Sequence, residues 1–165
     1  CIRDRYREIK LDDKIYKLFT NDLANSRKVI YCTDNCGEIV LDKLLIKYLT
    51  LYYPQLEIQV IVRGEEIGND ASIEDAENIS MQEVAAFEGN GTTIAGTSLH
   101  LLSDELKKKF YKADMIISKG QGNYETLSGS GLNIYYLFLC KCNHLQKIFL
   151  AKFLDPIFSM ECERR

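Results

Sequence analysis

Oxygen-bearing and cationic side chains follow three apolar segments of the sequence. Asp34 and Asn35 come after the first segment, Asn69-Asp70 after the second, and Lys119 after the third. Carboxylate and amide oxygens are the ligands that hard divalent cations prefer. A lysine ammonium neutralises phosphate charge. The residue types therefore predict a metal-assisted reaction at a phosphoryl group, with Asp34, Asn35 and Asp70 as metal ligands and Lys119 as the phosphate cation.

Other residues of the same clusters are candidates for binding the phosphate group. Arg63 offers a guanidinium fork, and Gly37, Gly120 and Gly122 let backbone N–H groups approach an anion at helix N-termini. Each cluster also has a structural interpretation when it is taken alone. An Asp-Asn pair before a glycine is typical of turns and caps, and Arg63 can form a surface ion pair. The coincidence of three clusters favours a site.

The elements that position these residues alternate between strands and helices. Runs of β-branched and other apolar residues predict strands at 29–32, 58–62, 115–117 and 134–139, with a further strand at either 84–87 or 92–95. Such alternation is typical of a three-layer α/β/α, Rossmann-like fold with a mostly parallel sheet. Ligands of such sheets bind outside the carboxyl ends of the strands, where all three clusters lie.

Helical spacing predicts the intervening helices and the faces that they bury. Apolar residues at the expected intervals predict four helices, and three N-caps are expected at Asp12 or Asp13, at Ser72 in a capping box, and at Ser103. The expected buried stripes are Ile15, Leu18, Phe19 and Leu23; Leu41, Leu44, Leu45, Tyr48 and Leu49; Leu106, Phe110 and Ala113; and Leu145, Ile148, Phe149 and Phe153.

Composition narrows the function classes. The 165 residues suit one domain, and a formal net charge of -3 gives no reason to expect nucleic acid as a partner. The longest apolar run, 134–140, is far shorter than the ~20 residues of a membrane span. Six cysteines without zinc-site spacing predict unbridged thiols in a cytoplasmic protein. Because residue 1 is Cys rather than Met, the chain is expected to be a fragment or a processed product.

Four segments, in order along the chain, resemble motifs of the damage-control phosphatases, also called the domain of unknown function 89 or acidic-residue-methyltransferase-like family. The eight-residue lysine segment at 118–125 is the most specific of them. The matching residues are Asp34-Asn35-x-Gly37-Glu38 with Asp42, Arg63-Gly64 with Asn69-Asp70, Ser118-Lys119-Gly120-Gln121-Gly122-Asn123-Tyr124-Glu125, and Lys141-Cys142.

The resemblance implies a three-layer α/β/α core that hydrolyses small phosphomonoesters, such as sugar phosphates and damaged phosphometabolites. It implies a divalent ion (Mg, Mn, Co or Ni) held by the residues that match Asp34, Asn35 and Asp70, and phosphate contact by Lys119. Glu38, Arg63, Asn69 and Asn123 match further motif positions and are assigned to substrate binding. Family members usually carry a helical segment before this core, so residues 1–165 are expected to form the core domain with that segment mostly absent.

Two alternatives stay open. The family's second name suggests carboxyl methyl transfer from S-adenosylmethionine, although the first predicted strand does not end in a glycine-rich turn suited to a nucleoside. The shortened chain also fits a non-catalytic module that binds metal or a phosphometabolite. Glu38 and Asp70 are the candidates for a general base.

Overall fold

The computed structural model describes residues 11–161 and contains a six-stranded sheet with helices on both faces. The helices are α1 (Asp13–Asn25), α2 (Ile39–Tyr52), α3 (Ile73–Asn78), α4 (Asp104–Lys112), α5 (Gln121–Leu127) and α6 (Asn143–Phe149). The strands are β1 (Lys28–Cys32), β2 (Glu57–Val62), β3 (Ala86–Gly89), β4 (Met115–Lys119), β5 (Ile134–Leu139) and β6 (Pro156–Met160).

The strand order is β3-β2-β1-β4-β5-β6, with parallel pairing from β3 to β5 and antiparallel pairing of β6 on β5. One apolar cluster packs α1 and α2 against one face of the sheet. A second cluster packs α4, α5 and α6 against the other face. The predicted three-layer α/β/α class with a mostly parallel sheet is confirmed. The order reverses between β1 and β4, which is where doubly wound sheets bind their ligands.

The predicted buried stripe of α2 is wrong. Leu41, Leu44 and Tyr48 are more than half exposed, and Leu49 is the one member of that stripe that is buried. The helix instead turns a different face to the sheet, formed by Ile39, Asp42, Ile46 and Leu49. Nearly every position of α2 is apolar, so two overlapping stripes satisfy the helical period. The stripe that is buried contains a carboxylate, and that carboxylate takes part in the site described below.

The other corrections concern the two edges of the sheet. The third strand is β3 (Ala86–Gly89), which overlaps the first of the two predicted positions, 84–87. The predicted terminal helix ends at Phe149, because Leu150 takes a left-handed conformation with φ of 50°. Phe153 therefore lies beyond the helix, and the chain returns as β6, which the sequence analysis did not predict. A proline at its first residue hides this edge strand from a pattern-based prediction.

The predicted caps are confirmed. Asp12 accepts hydrogen bonds from the backbone N–H groups of Lys14 and Ile15. Ser72 and Asp75 form a reciprocal capping box, and Ser103 caps α4. The described cysteines, Cys32, Cys36, Cys140 and Cys142, are free thiols, whereas Cys1 and Cys162 lie outside the described residues. No helix in residues 11–161 has the length and apolar character needed to span a bilayer.

Asp114 stabilises the start of β1. Its Oδ2 accepts hydrogen bonds from the backbone N–H groups of Arg27 at 2.9 Å and Lys28 at 2.8 Å. These bonds hold the pKa of the carboxyl below its ordinary value. We expect Asp114→Ala to lower the free energy of unfolding by about 1 kcal/mol at neutral pH. Urea unfolding measures this loss, with the exposed carboxylate variant Glu65→Ala as the control.

The sign of the pH dependence follows from the lowered pKa. The ionised carboxylate is the form that the fold favours, so its contribution is present above the ordinary pKa of an aspartate and disappears as the pH falls through the lowered value. The difference in unfolding free energy between parent and Asp114→Ala is therefore expected to shrink on acidification. A difference that stays constant with pH would contradict this account.

Candidate active site at the carboxyl edge of the sheet

The sheet register brings the three predicted clusters together. Cys32 at the end of β1 pairs with Ile61 of β2 on one side and with Ser118 of β4 on the other. The segments that follow these strands therefore leave the sheet at the same height and side by side. The three clusters therefore converge at one edge of the sheet, as predicted.

Backbone hydrogen bonds join the first two clusters. The N–H of Ala71 donates to the carbonyl oxygen of Asp34 at 2.7 Å, and the N–H of Cys36 donates to that of Asn69 at 2.8 Å. Asn35 and Asp70 face each other across an antiparallel bridge. The three predicted metal ligands thus come from two short segments that are bonded directly to each other.

The carboxylate of Asp34 lies over Gly120, at the point between β1 and β4 where the strand order reverses. Gly120 has a φ of 86°, and a Cβ at this position would collide with the carboxylate carbon and both carboxylate oxygens of Asp34. Within residues 11–161 neither of those oxygens accepts a hydrogen bond from a protein donor. Both oxygens of this half-buried carboxylate are therefore free to accept water or to bind a cation.

The charges around Asp34 also favour a cation. Burial raises the pKa of Asp34, and the neighbouring carboxylates of Asp70 and Glu38 raise it further, against the opposite effect of Arg63 and Lys141. The donors present are two carboxylates and the Asn35 amide, a hard oxygen set that fits a magnesium-like ion completed by water. No group of three His, Cys, Asp or Glu side chains in the described range is arranged to hold a metal. A metal ion at this position would therefore need an oxygen from another residue type, such as the Asn35 amide, beside the carboxylates.

Arg63 and Asn123 occupy a different place from the one predicted for them. Arg63 is 2% exposed, and its Nε donates to Asp70 Oδ2 at 2.6 Å. Its Nη1 donates to the carbonyl oxygen of Gly96, to Thr97 Oγ1 and to Asn123 Oδ1. In this arrangement the guanidinium does not face a ligand. It lies under the site and orients the Asp70 carboxylate.

Asn123 is fully buried, and its amide nitrogen donates to the carbonyl oxygens of Thr33 at 2.9 Å and Lys119 at 2.7 Å. These bonds join the residue that follows β1 to the last residue of β4. Asn123 therefore fixes the spacing between the segment that carries Asp34 and the segment that carries Lys119, and its side chain has no surface open to a substrate.

Lys119 lies at the rim of the site, as its assignment to phosphate requires. Its Nζ donates to Glu38 Oε2 and to Asp42 Oδ1, each at 2.9 Å. Burial alone would lower the pKa of Lys119, but the Asp42 and Glu38 carboxylates hold it above its ordinary value. The ammonium is therefore charged at neutral pH.

The predicted backbone cradle at Gly37 differs from the structure. The N–H of Gly37 donates to Asn35 Oδ1 at 2.7 Å, and the N–H of Glu38 donates to the carbonyl oxygen of Asn35. The Gly37 N–H therefore holds the Asn35 side chain, the Glu38 N–H closes a turn on the Asn35 backbone, and neither is open to an anion. Asn69 is exposed, and its backbone oxygen accepts a hydrogen bond from the N–H of Cys36.

A cleft of about 500 Å³ opens beside Asp34. Its polar lining includes Asp34, Glu38, Lys119 and Lys141. Most of its apolar lining comes from the end of β5, the start of β6 and Phe149. A small phosphate ester in the cleft would therefore meet both polar and apolar side chains.

Three features of the site were not predicted. Asp42 was assigned to a motif without a role, Tyr31 was placed only within a predicted strand, and the contact of the Gly96–Thr97 loop with Arg63 was not expected. Asp42 is a carboxylate at a buried helical position between Ile39 and Ile46, and that register was the signal available in the sequence. The loop that contains Gly96 and Thr97 contacts Arg63 through folding alone, and no sequence pattern indicated it.

Comparison with known proteins identifies a family that matches this chain. The family described as damage-control phosphatase ARMT1-like domain matches residues 3–152. The chain is 38% identical over 141 residues to an uncharacterized protein of Methanocaldococcus jannaschii, covering 82% of this chain and 45% of that protein. It is 35% identical over 140 residues to a damage-control phosphatase of Pyrococcus horikoshii, covering 82% and 48%.

A solved structure has the same fold. The crystal structure of a DUF89 family protein from Pyrococcus horikoshii superposes with a TM-score of 0.84 at 31% identity, covering 94% of this chain and 54% of that one. The chain spans about half the length of the curated relatives that it matches.

Proposed function

The chain belongs to the damage-control phosphatase ARMT1-like family, and we propose that it carries the site of a metal-dependent phosphomonoesterase. The observation that carries the proposal is the Asp34 carboxylate, which is half-buried beside Asp70 with no protein donor in the described range. Asp34, Asn35 and Asp70 would hold a divalent ion such as Mg, Mn, Co or Ni. When bound, the ion supplies Lewis-acid polarisation of a phosphoryl oxygen and lowers the pKa of a bound water.

The chain's own residues then have separate tasks. Lys119 neutralises charge on the phosphate group and orients it toward Asp34. Arg63 holds the Asp70 carboxylate, and Asn123 sets the distance between the two halves of the site. Of the two candidate bases, Asp70 is held by the buried Arg63, whereas Glu38 is half exposed and paired with Lys119, so Glu38 is the carboxylate that can be released to act as a base.

The substrate class proposed is a small phosphorylated metabolite, such as a sugar phosphate or a damaged phosphometabolite. The size of the cleft suits an ester of this kind, and the name of the Pyrococcus horikoshii relative points to the same chemistry. The negative net charge gives no support to nucleic acid as a partner.

A metal-dependence assay tests the proposal. The protein is stripped with a chelator and assayed for phosphate release from a panel of sugar phosphates, with Mg, Mn, Co or Ni added singly. We expect activity with at least one ion, none with chelator, and a rise in melting temperature with the same ion because a ligand that binds the folded state stabilises it. The absence of a shift with every ion would refute the metal site.

The same preparation separates the alternatives. A metal-dependent shift without phosphate release would indicate the non-catalytic binding module. Tight calorimetric binding of S-adenosylhomocysteine would favour the methyltransferase, and we expect none.

A further inference from the structure

Lys119 has two carboxylate partners that differ in burial. The side chain of Asp42 is 3% exposed and that of Glu38 is 49% exposed, although each oxygen lies 2.9 Å from the ammonium nitrogen. An exposed ion pair exchanges readily with solvent and contributes little to stability. A buried partner cannot leave without stranding its charge. The two bonds therefore have the same length, but the bond to the buried Asp42 is expected to persist while the bond to the exposed Glu38 exchanges.

Asp42 is itself held in place. Its Oδ1 accepts a hydrogen bond from the hydroxyl of Tyr31 at 2.7 Å, in addition to the bond from Lys119. Tyr31 is fully buried in β1 and Asp42 lies in the buried face of α2, so a helix and a central strand both fix the carboxylate. Its second oxygen, Oδ2, is buried and has no partner in the described part of the chain.

This carboxylate is costly to the fold. A buried ion pair is often no more stabilising than apolar side chains of the same volume, and α2 supplies apolar residues at every neighbouring position of its buried face. A contribution to stability therefore does not explain why a charge is buried here. The Lys119 side chain of this pair lines the cleft beside Asp34, where a fixed ammonium can contact a phosphate group.

We propose that Asp42, anchored by Tyr31, is a positioning residue that fixes the Lys119 ammonium for phosphate, and that Glu38 is the exchangeable partner that phosphate displaces. An ammonium has three N–H donors, so one is directed to Asp42 and the others serve Glu38 or the ligand. Displacement also releases Glu38 to act as a base. The phosphate part of this inference rests on the proposed function, whereas the anchoring of Lys119 does not.

Inorganic phosphate is the binding probe, measured by calorimetry on the metal-loaded protein. We expect Asp42→Asn to weaken phosphate binding about tenfold and to raise KM more than it lowers kcat. We expect Tyr31→Phe to have a smaller effect in the same direction. Glu38→Gln removes a competitor for Lys119, so it is expected to bind phosphate at least as tightly as the parent while kcat falls. The metal-induced shift in melting temperature is expected to persist in all three variants.

A second measurement does not depend on activity. Trace acetylation with mass spectrometry reports how reactive each lysine is, and the exposed Lys141 in the same digest serves as the internal reference. We expect Lys119 to react slowly in the parent, several times faster in Asp42→Asn, and only slightly faster in Glu38→Gln. If the parent neither binds phosphate nor hydrolyses an ester, the proposed function fails, and the labelling still decides whether Asp42 anchors Lys119.

The inference is overturned by either of two results. One is equal acetylation of Lys119 in the parent and in Asp42→Asn. The other is a loss of phosphate affinity in Glu38→Gln as large as that in Asp42→Asn, because Glu38 would then be a second anchor.

Discussion

Asp34→Asn is expected to reduce metal-dependent phosphate release by about 10³-fold or more while leaving the protein folded. The substitution keeps the shape of the side chain, so Gly120 still accommodates it. It removes one of the two carboxylates that would hold the ion, and with it the charge that attracts a cation. Phosphate release with each divalent ion measures the activity, and the metal-induced change in melting temperature measures binding.

The same variant has a predicted effect on stability. Burial and the neighbouring carboxylates raise the pKa of Asp34, so the folded state binds a proton that the unfolded chain has already lost. The metal-free parent should therefore lose stability as the pH rises from the ordinary aspartate pKa through the raised value. Asp34→Asn should lack this loss and unfold at a higher temperature than the metal-free parent at neutral pH.

Asp104→Asn is the matched control, because Asp104 is exposed on α4 and is not among the residues that line the cleft. It should keep full activity and the full metal-induced shift. Retained activity in Asp34→Asn, or an undiminished metal-induced shift, would remove Asp34 from the site.

The convergence of the clusters followed from the sequence because the rule behind it is topological. Parallel strands present their carboxyl ends at one edge, so residues such as Asp34 and Lys119 lie at that edge whatever the strand order is, and they meet because β1 and β4 are neighbours. The order itself has no local signature, and it came only with the structure. The same limit applies to β6, since a short edge strand that begins with proline has too few periodic positions to be recognised.

The roles of individual side chains were harder to predict, for two physical reasons. Arg63 follows a strand in the same way as Asp34 does, but only the packing of the loop around Gly96 turns its guanidinium inward. Asp42 was hidden by hydropathy, because a carboxylate within an apolar helix suggests the solvent face. The exposed leucines of α2 also made the wrong face of the helix look like the buried one. No residue in the described part of the chain covers these leucines.

Gly120→Ala is expected to be the most damaging small substitution at the site. Gly120 has φ of 86° and ψ of 152°, a backbone conformation that is essentially confined to glycine and costs other residues about 1–3 kcal/mol. An added methyl group would also occupy the space of the Asp34 carboxylate, and overpacking of this kind adds about 1–3 kcal/mol. Chemical denaturation should therefore show a loss of about 2–6 kcal/mol in unfolding free energy, together with loss of the metal-induced shift in melting temperature.

Gly131→Ala is the control for an added methyl without a collision, because Gly131 also has a positive φ, of 74°, and no atom lies within 4 Å of the added Cβ. It should keep metal binding intact. Combining Gly120→Ala with Asp34→Gly removes the colliding carboxylate, so in that background the added methyl should cost only the strain of its backbone conformation. If Gly120→Ala instead costs the same with and without Asp34, the carboxylate does not lie over this glycine. The site would then lack the contact on which the placement of Asp34 depends.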